Sequence, residues 1–124
     1  MGEPIKNQRD LEVYRTALAA ALGLSNIARR FPADERGLRE QVRRVGRSSG
    51  ASIAEAWRKR RYVAFWRNKL SDAQSEASEA QWWLDIALAE GYCSKSEFDE
   101  CNNLFEKLIA QLSRMIGNPK AWIV

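Results

Sequence analysis

Between Arg36 and Lys69 lie eleven basic residues and only two acidic ones, Glu40 and Glu55. The stretch carries +9 in a chain whose formal total is +4, which leaves −5 for everything outside it. An electrostatic partner senses such a local excess. Arginine outnumbers lysine nine to two here, and the guanidinium fork suits bidentate contact with phosphate oxygens. The chemistry on offer is polyanion binding, with RNA or DNA phosphates as the natural ligand. The candidate contact residues are Arg39, Arg43, Arg44, Arg47, Arg58, Lys59, Arg60 and Arg61. A second reading makes the stretch a solvated helical face whose arginines pair with acidic helices, within the chain or across an oligomer.

Catalytic chemistry finds little material. The chain has no histidine, so the commonest general base and metal ligand are missing. Cys93 and Cys101 do not have zinc-site spacing. No glycine-rich loop follows a strand pattern, and the carboxylates are scattered along helical faces. No enzyme, metal, cofactor or small-molecule substrate is expected. The two cysteines are expected to stay reduced in a cytoplasmic protein. The sequence shows no long apolar run for a membrane span and no apolar core of a signal peptide.

The tryptophans point to a second kind of contact. Trp66 falls on the apolar seam of its helix and is expected in the core. Trp57 is expected to project toward the arginine face, and Trp82 and Trp83 fall off the seam. These three suggest a self-association surface.

The elements that position these residues read as helices. A first helix is expected from about Gln8 to Arg30, with Leu11, Tyr14, Leu18 and Leu22 flanked by Val13, Ala17, Leu24 and Ile27 as its apolar face. Phe31-Pro32 ends it, and Asp34 is the expected N-cap of the second helix. In that helix Arg36, Arg39, Arg43, Arg47, Gly50, Ala54, Arg58 and Arg61 follow by threes and fours on one side. Leu38, Val42, Val45, Ser49, Ile53 and Ala56 fall on the other. Gly46 and Gly50 imply either a bend or another backbone approaching closely. A turn near Trp57 to Tyr62 must reverse the chain.

The third helix is the clearest, with Val63, Trp66, Leu70, Ala73, Ala77, Ala80, Leu84 and Ala87 repeating by threes and fours. Gly91 is its expected C′ residue. Ser94 and Glu97 form a capping box for a fourth helix whose seam is Phe98, Cys101, Phe105, Leu108, Leu112 and Met115. Gly117-Asn118-Pro119 closes it. The architecture implied is all-α, an antiparallel up-down four-helix bundle, as one domain over residues 1–124 with flexible tails at 1–7 and 118–124.

The run RDLEVYRTALAAALGLSNIARRFPADERGLREQVRRVGRSSGASIAEA resembles the four-helix-bundle proteins encoded in intervening sequences of bacterial 23S rRNA genes, also called S23 ribosomal proteins. Phe31-Pro32, Leu38, Gln41, Arg43-Arg44 and Ile53-Ala54-Glu55 match that family in order and spacing, and Tyr92 after Gly91 matches its third loop. Three positions depart: Gly50 stands where the family has proline, Ser52 where it has asparagine, and Ala56 where it has glycine. Alanine at position 56 favours a helix continuing into Trp57. The resemblance implies a left-handed bundle assembling as a homopentamer. Related bundle proteins that accompany the reverse transcriptases of diversity-generating retroelements bind nucleic acid and the transcriptase.

Overall fold

Phe31 and Pro32 end the first helix, and every later reversal of the chain has a similarly local cause. The computed structural model describes residues 4–122. It has four helices: α1 (Glu12–Ala28), α2 (Arg36–Arg58), α3 (Val63–Ala89) and α4 (Lys95–Gly117). Short 3-10 turns precede α1 and α2 and follow α4, and no strand occurs among the described residues.

The start of α1 differs from the expectation. Asn7 and Asp10 cap each other around the 3-10 turn Gln8–Asp10, and Leu11 is extended, with φ −75° and ψ 131°. The α-helix begins only after Leu11, whose buried side chain anchors the break. Asp34 does not cap α2. It lies inside the 3-10 turn Ala33–Glu35, and the cap position falls to Glu35, which makes no side-chain cap bond. The Glu35 carboxylate is engaged elsewhere, accepting a hydrogen bond from the Tyr92 hydroxyl at 3.0 Å.

The end of α3 follows the expectation. Gly91 has φ 78°, the Tyr92 N–H donates to the Ala87 carbonyl and the Gly91 N–H to that of Leu88. This is the double bond pattern of a Schellman turn, which needs a left-handed residue where glycine stands. Ser94 and Glu97 form the capping box of α4.

Consecutive helices pack on one another and α1 closes on α4. Each pair runs antiparallel. Leu24 lies against Gly46 and Ala17 against Gly50. Ser49 bonds Ala73 while Lys69 bonds Glu55. Gln74 reaches Ser113 and Gln81 reaches Asn102, and Cys101 meets Ala20 while Glu97 pairs with Arg30. The core is built on Trp66, Phe105, Leu24, Leu70, Leu84, Leu108 and Leu112. The α3 alanines Ala73, Ala77, Ala80 and Ala87 are fully buried. At this narrow seam the Ser49 hydroxyl of α2 donates to the Ala73 carbonyl at 2.9 Å.

Gly46 in α2 serves close approach. The helix runs unbroken from Arg36 to Arg58, and a Cβ on Gly46 would stand 3.0 Å from Leu24 Cδ2. The apolar face expected for α1 is mis-phased. Leu18 and Leu22 are 54% and 55% exposed, while Val13, Ala17, Ala20, Leu24 and Ile27 form the buried stripe. Residues 118–122, expected as part of a tail, include the turn Pro119–Ala121 and lay Trp122 against the core. Of the expected N-terminal tail, residues 1–3 lie outside the described residues, as do Ile123 and Val124 of the C-terminal one.

Candidate nucleic-acid interface

The arginines owe their placement to α2. Its buried side is Val42, Val45, Gly46, Ser49, Ser52, Ile53 and Ala56, which turns Arg36, Arg44, Arg47 and Arg58 outward and leaves Arg39 and Arg43 half-buried. Two departures from the family pattern sit on this packed side. The Ser52 hydroxyl donates to Glu76 at 2.7 Å, and Ala56 is buried within a continuous helix.

At the start of α2, Arg36, Arg39 and Arg43 line a groove with Arg29, the C-cap residue of α1, above Phe31. Glu40 is the carboxylate in this lining, and its contact with Arg36 is long, at 3.9 Å. Arg43 Nε is buried without a hydrogen-bond partner among the described residues. Arg29 was not singled out from the sequence. It belongs to a different helix, and only the reversal at Pro32 brings it beside the α2 stripe.

At the other end of α2, about 33 Å away at 1.5 Å per residue, the chain turns through Lys59, Arg60, Arg61 and Tyr62. Arg60 does not face outward. Its guanidinium lies 3.8 Å from the centre of the Trp57 ring, and its Nη1 donates to the Trp57 carbonyl at 2.8 Å. It therefore caps the C-terminus of α2. Arg58, Lys59 and Arg61 remain exposed. Because α2 ends at Arg58, the position of Arg61 is set by the turn and does not continue the helical stripe.

Few of these charges are neutralised within the chain. Among the described residues, none of Arg39, Arg43, Arg44, Arg47, Arg58 and Arg61 has a carboxylate within ion-pair distance. Lys69 is the basic residue of the stretch that is firmly paired, 3.0 Å from Glu55, and this contact raises its pKa. The expected pairing of the α2 arginines with α3 and α4 is not found among the described residues.

The tryptophans divide. Trp57 does not project from the arginine face. It is buried at 6% exposure, because α2 stays helical past Ala56 and carries it round into the core beneath Arg60. Trp83 is half-buried against the core, and Trp82 is 57% exposed. Leu18 and Leu22, read from the sequence as core, are the larger exposed apolar ridge. They sit on α1, across the bundle from the α3 helix that carries Trp82.

The remaining chemistry-bearing groups are structural. Cys93 and Cys101 are free and buried, and burial pushes the Cys101 thiol up to about 12. Burial, helped by the bond to Glu35, likewise raises the Tyr92 phenol to about 12. The Tyr92 ring packs on Phe31 at 4.9 Å, so the Gly-Tyr and Phe-Pro pairs that carry the resemblance meet at one end of the bundle. No cluster of metal-ligating side chains occurs among the described residues. No helix among them is long and apolar enough to cross a membrane.

Known proteins share this sequence pattern and fold. A family model described as 23S rRNA-intervening sequence protein matches residues 9–114. A solved protein of unknown function from the S23 ribosomal protein family of Bacteroides thetaiotaomicron is 26% identical, with a TM-score of 0.76 over 85% of this chain and 95% of that one. No curated protein matches the chain.

Proposed function

This chain belongs to the 23S rRNA-intervening sequence protein family, and on that footing we propose that it is a non-enzymatic, cytoplasmic, oligomeric bundle that binds nucleic-acid phosphates through the basic side of α2. One observation carries the reading: among the described residues Arg39, Arg43, Arg44, Arg47 and Arg58 lack carboxylate partners, although the chain has 16 acidic residues. Unpaired guanidinium groups in a row repel one another, and a polyanion relieves that repulsion. The groove that Arg29, Arg36, Arg39 and Arg43 line supports the same ligand. The two buried free thiols fit a reducing compartment.

A scaffold reading draws on other features. The segment from Leu70 to Gly117 has nine acidic and three basic residues. A neighbouring copy could therefore offer its α3–α4 side to the α2 arginines. The apolar ridge of Leu18 and Leu22 and the exposed Trp82 lie on different sides of the bundle. Self-association through unlike surfaces is head-to-tail and closes into a ring when the rotation allows, with five subunits as the number the family resemblance implies.

The two readings separate in a filter-binding titration of RNA at two salt concentrations. Phosphate contacts give a log–log salt slope of about −0.7 to −0.9 per neutralised phosphate. Arg43→Glu/Arg47→Glu is expected to abolish most binding at low salt while leaving the helical spectrum intact. Equal binding by wild type and variant, or none by either, would transfer the arginines to the scaffold role.

A further inference from the structure

The turn between α2 and α3 combines charge with an aromatic ring that the fold does not use. Arg58, Lys59, Arg60 and Arg61 are consecutive, and no carboxylate occurs between Ala56 and Ser71. Arg60 folds back onto Trp57 and holds the turn, which leaves Arg58, Lys59 and Arg61 at the surface. Tyr62 follows at 58% exposure. Its backbone closes the turn, donating to the Lys59 carbonyl and accepting from the Trp66 N–H. Its side chain makes no cap bond to α3 and lies outside the core. One contact of the ring is with the Arg61 guanidinium, 5.7 Å from its centre. Any residue of ordinary backbone geometry would complete this turn, so folding does not explain the aromatic.

We propose that this tip binds single-stranded nucleic acid, with Tyr62 stacking on a nucleobase and Arg58, Lys59 and Arg61 taking the flanking phosphates. The inference rests on the nucleic-acid reading above and adds strandedness to it. Phosphates alone need only cations, in a duplex as in a single strand. An exposed ring between cations gains from a base face only where bases are unpaired, and such platforms accept every base. A membrane headgroup layer would also meet cations and a tyrosine. Here Val63 is exposed beside Tyr62, but the neighbouring Phe65 is half-buried, with the Lys59 ammonium 4.9 Å from its ring centre, so the tip offers one large aliphatic side chain and not the broad apolar face that insertion requires.

The test uses the full chain, an oligouridine of about 12 nucleotides, within the site sizes of single-strand binders, a duplex of equal length, and phosphatidylserine vesicles. Tyr62→Ala is expected to weaken oligouridine binding by about 5- to 150-fold, the range of one lost base stack. Duplex binding should change less than about twofold, and Tyr62→Phe should bind like wild type. Helical content should be unchanged in both variants, since the side chain is outside the core. If wild type binds oligouridine and Tyr62→Ala binds it equally, the tip inference fails and the phosphate reading survives. If wild type binds neither oligouridine nor duplex at about 50 mM salt, both fail. Binding to vesicles but to neither nucleic acid would reassign the tip to membranes.

Discussion

Replacing Gly50 by alanine is expected to stabilise the protein, because a Cβ there would meet Ala17 at an ordinary 3.9 Å and an interior helical glycine costs about 0.5–1 kcal/mol relative to alanine. Gly91→Ala should do the opposite by about 1–2 kcal/mol, since its φ of 78° strains any residue with a Cβ. Thermal unfolding of the two single variants checks both signs. A third expectation concerns acid. Hydrogen bonds from Arg30 and from the Ser94 backbone hold the Glu97 carboxyl down at about 2, against an ordinary 4.5. A depressed carboxylate stabilises the fold above its unfolded pKa and loses that contribution as pH falls toward the folded value. Stability should therefore decline between about pH 4.5 and pH 2, and Glu97→Gln should flatten that decline in denaturant titrations at several pH values. At this scale the sequence was legible where a motif is local. Ser94, Glu97 and Gly91 announced their own turn, whereas the partner of Glu97, Arg30, stands in the turn after α1, 67 positions away.

Helix phase was legible only where one side is clearly polar. In α3 the off-seam positions are largely Ser, Asp, Glu and Gln, so the stripe from Trp66 to Ala87 could be read directly. In α1 nearly every position after Arg15 is apolar or small, and large leucines marked the wrong side. The bundle buries the alanines instead, because close-packed helices need small residues at their contacts. Trp57 was misplaced for a related reason: the end of α2 could not be fixed from a run without glycine or proline. Two element-scale outcomes follow. Ala77→Leu should cost about 1–3 kcal/mol through overpacking, measured by urea unfolding, since that side chain is fully buried among its neighbours. Leu18→Glu/Leu22→Glu should leave the fold within about 0.5 kcal/mol per substitution of wild type. Sedimentation should nevertheless show smaller particles if the ridge joins subunits, and an unchanged size would remove it from the interface.

On the scale of the whole molecule, the candidate interface was half visible. The arginine run is plain in composition, but its division between two ends of a long helix follows from where α2 starts and stops. The groove at one end includes Arg29 from α1, and the tip at the other loses Arg60 to Trp57. Both changes come from chain reversals, which composition does not describe.

The order of packing bears on how the chain acquires its structure. Among the described residues, three of the four main interfaces join consecutive helices, and one joins the first helix to the last. Consecutive antiparallel helices meet through short loops, whose closure costs little entropy, and proteins rich in such local contacts fold in microseconds to milliseconds. The seam of α1 on α4 is different, for Cys101 Sγ and the Ala20 carbonyl oxygen approach to 3.9 Å across 81 positions of sequence. By the time three hairpins have formed, α4 has already been carried back beside α1. The interface between the first and last helices is then the one that needs the least remaining search.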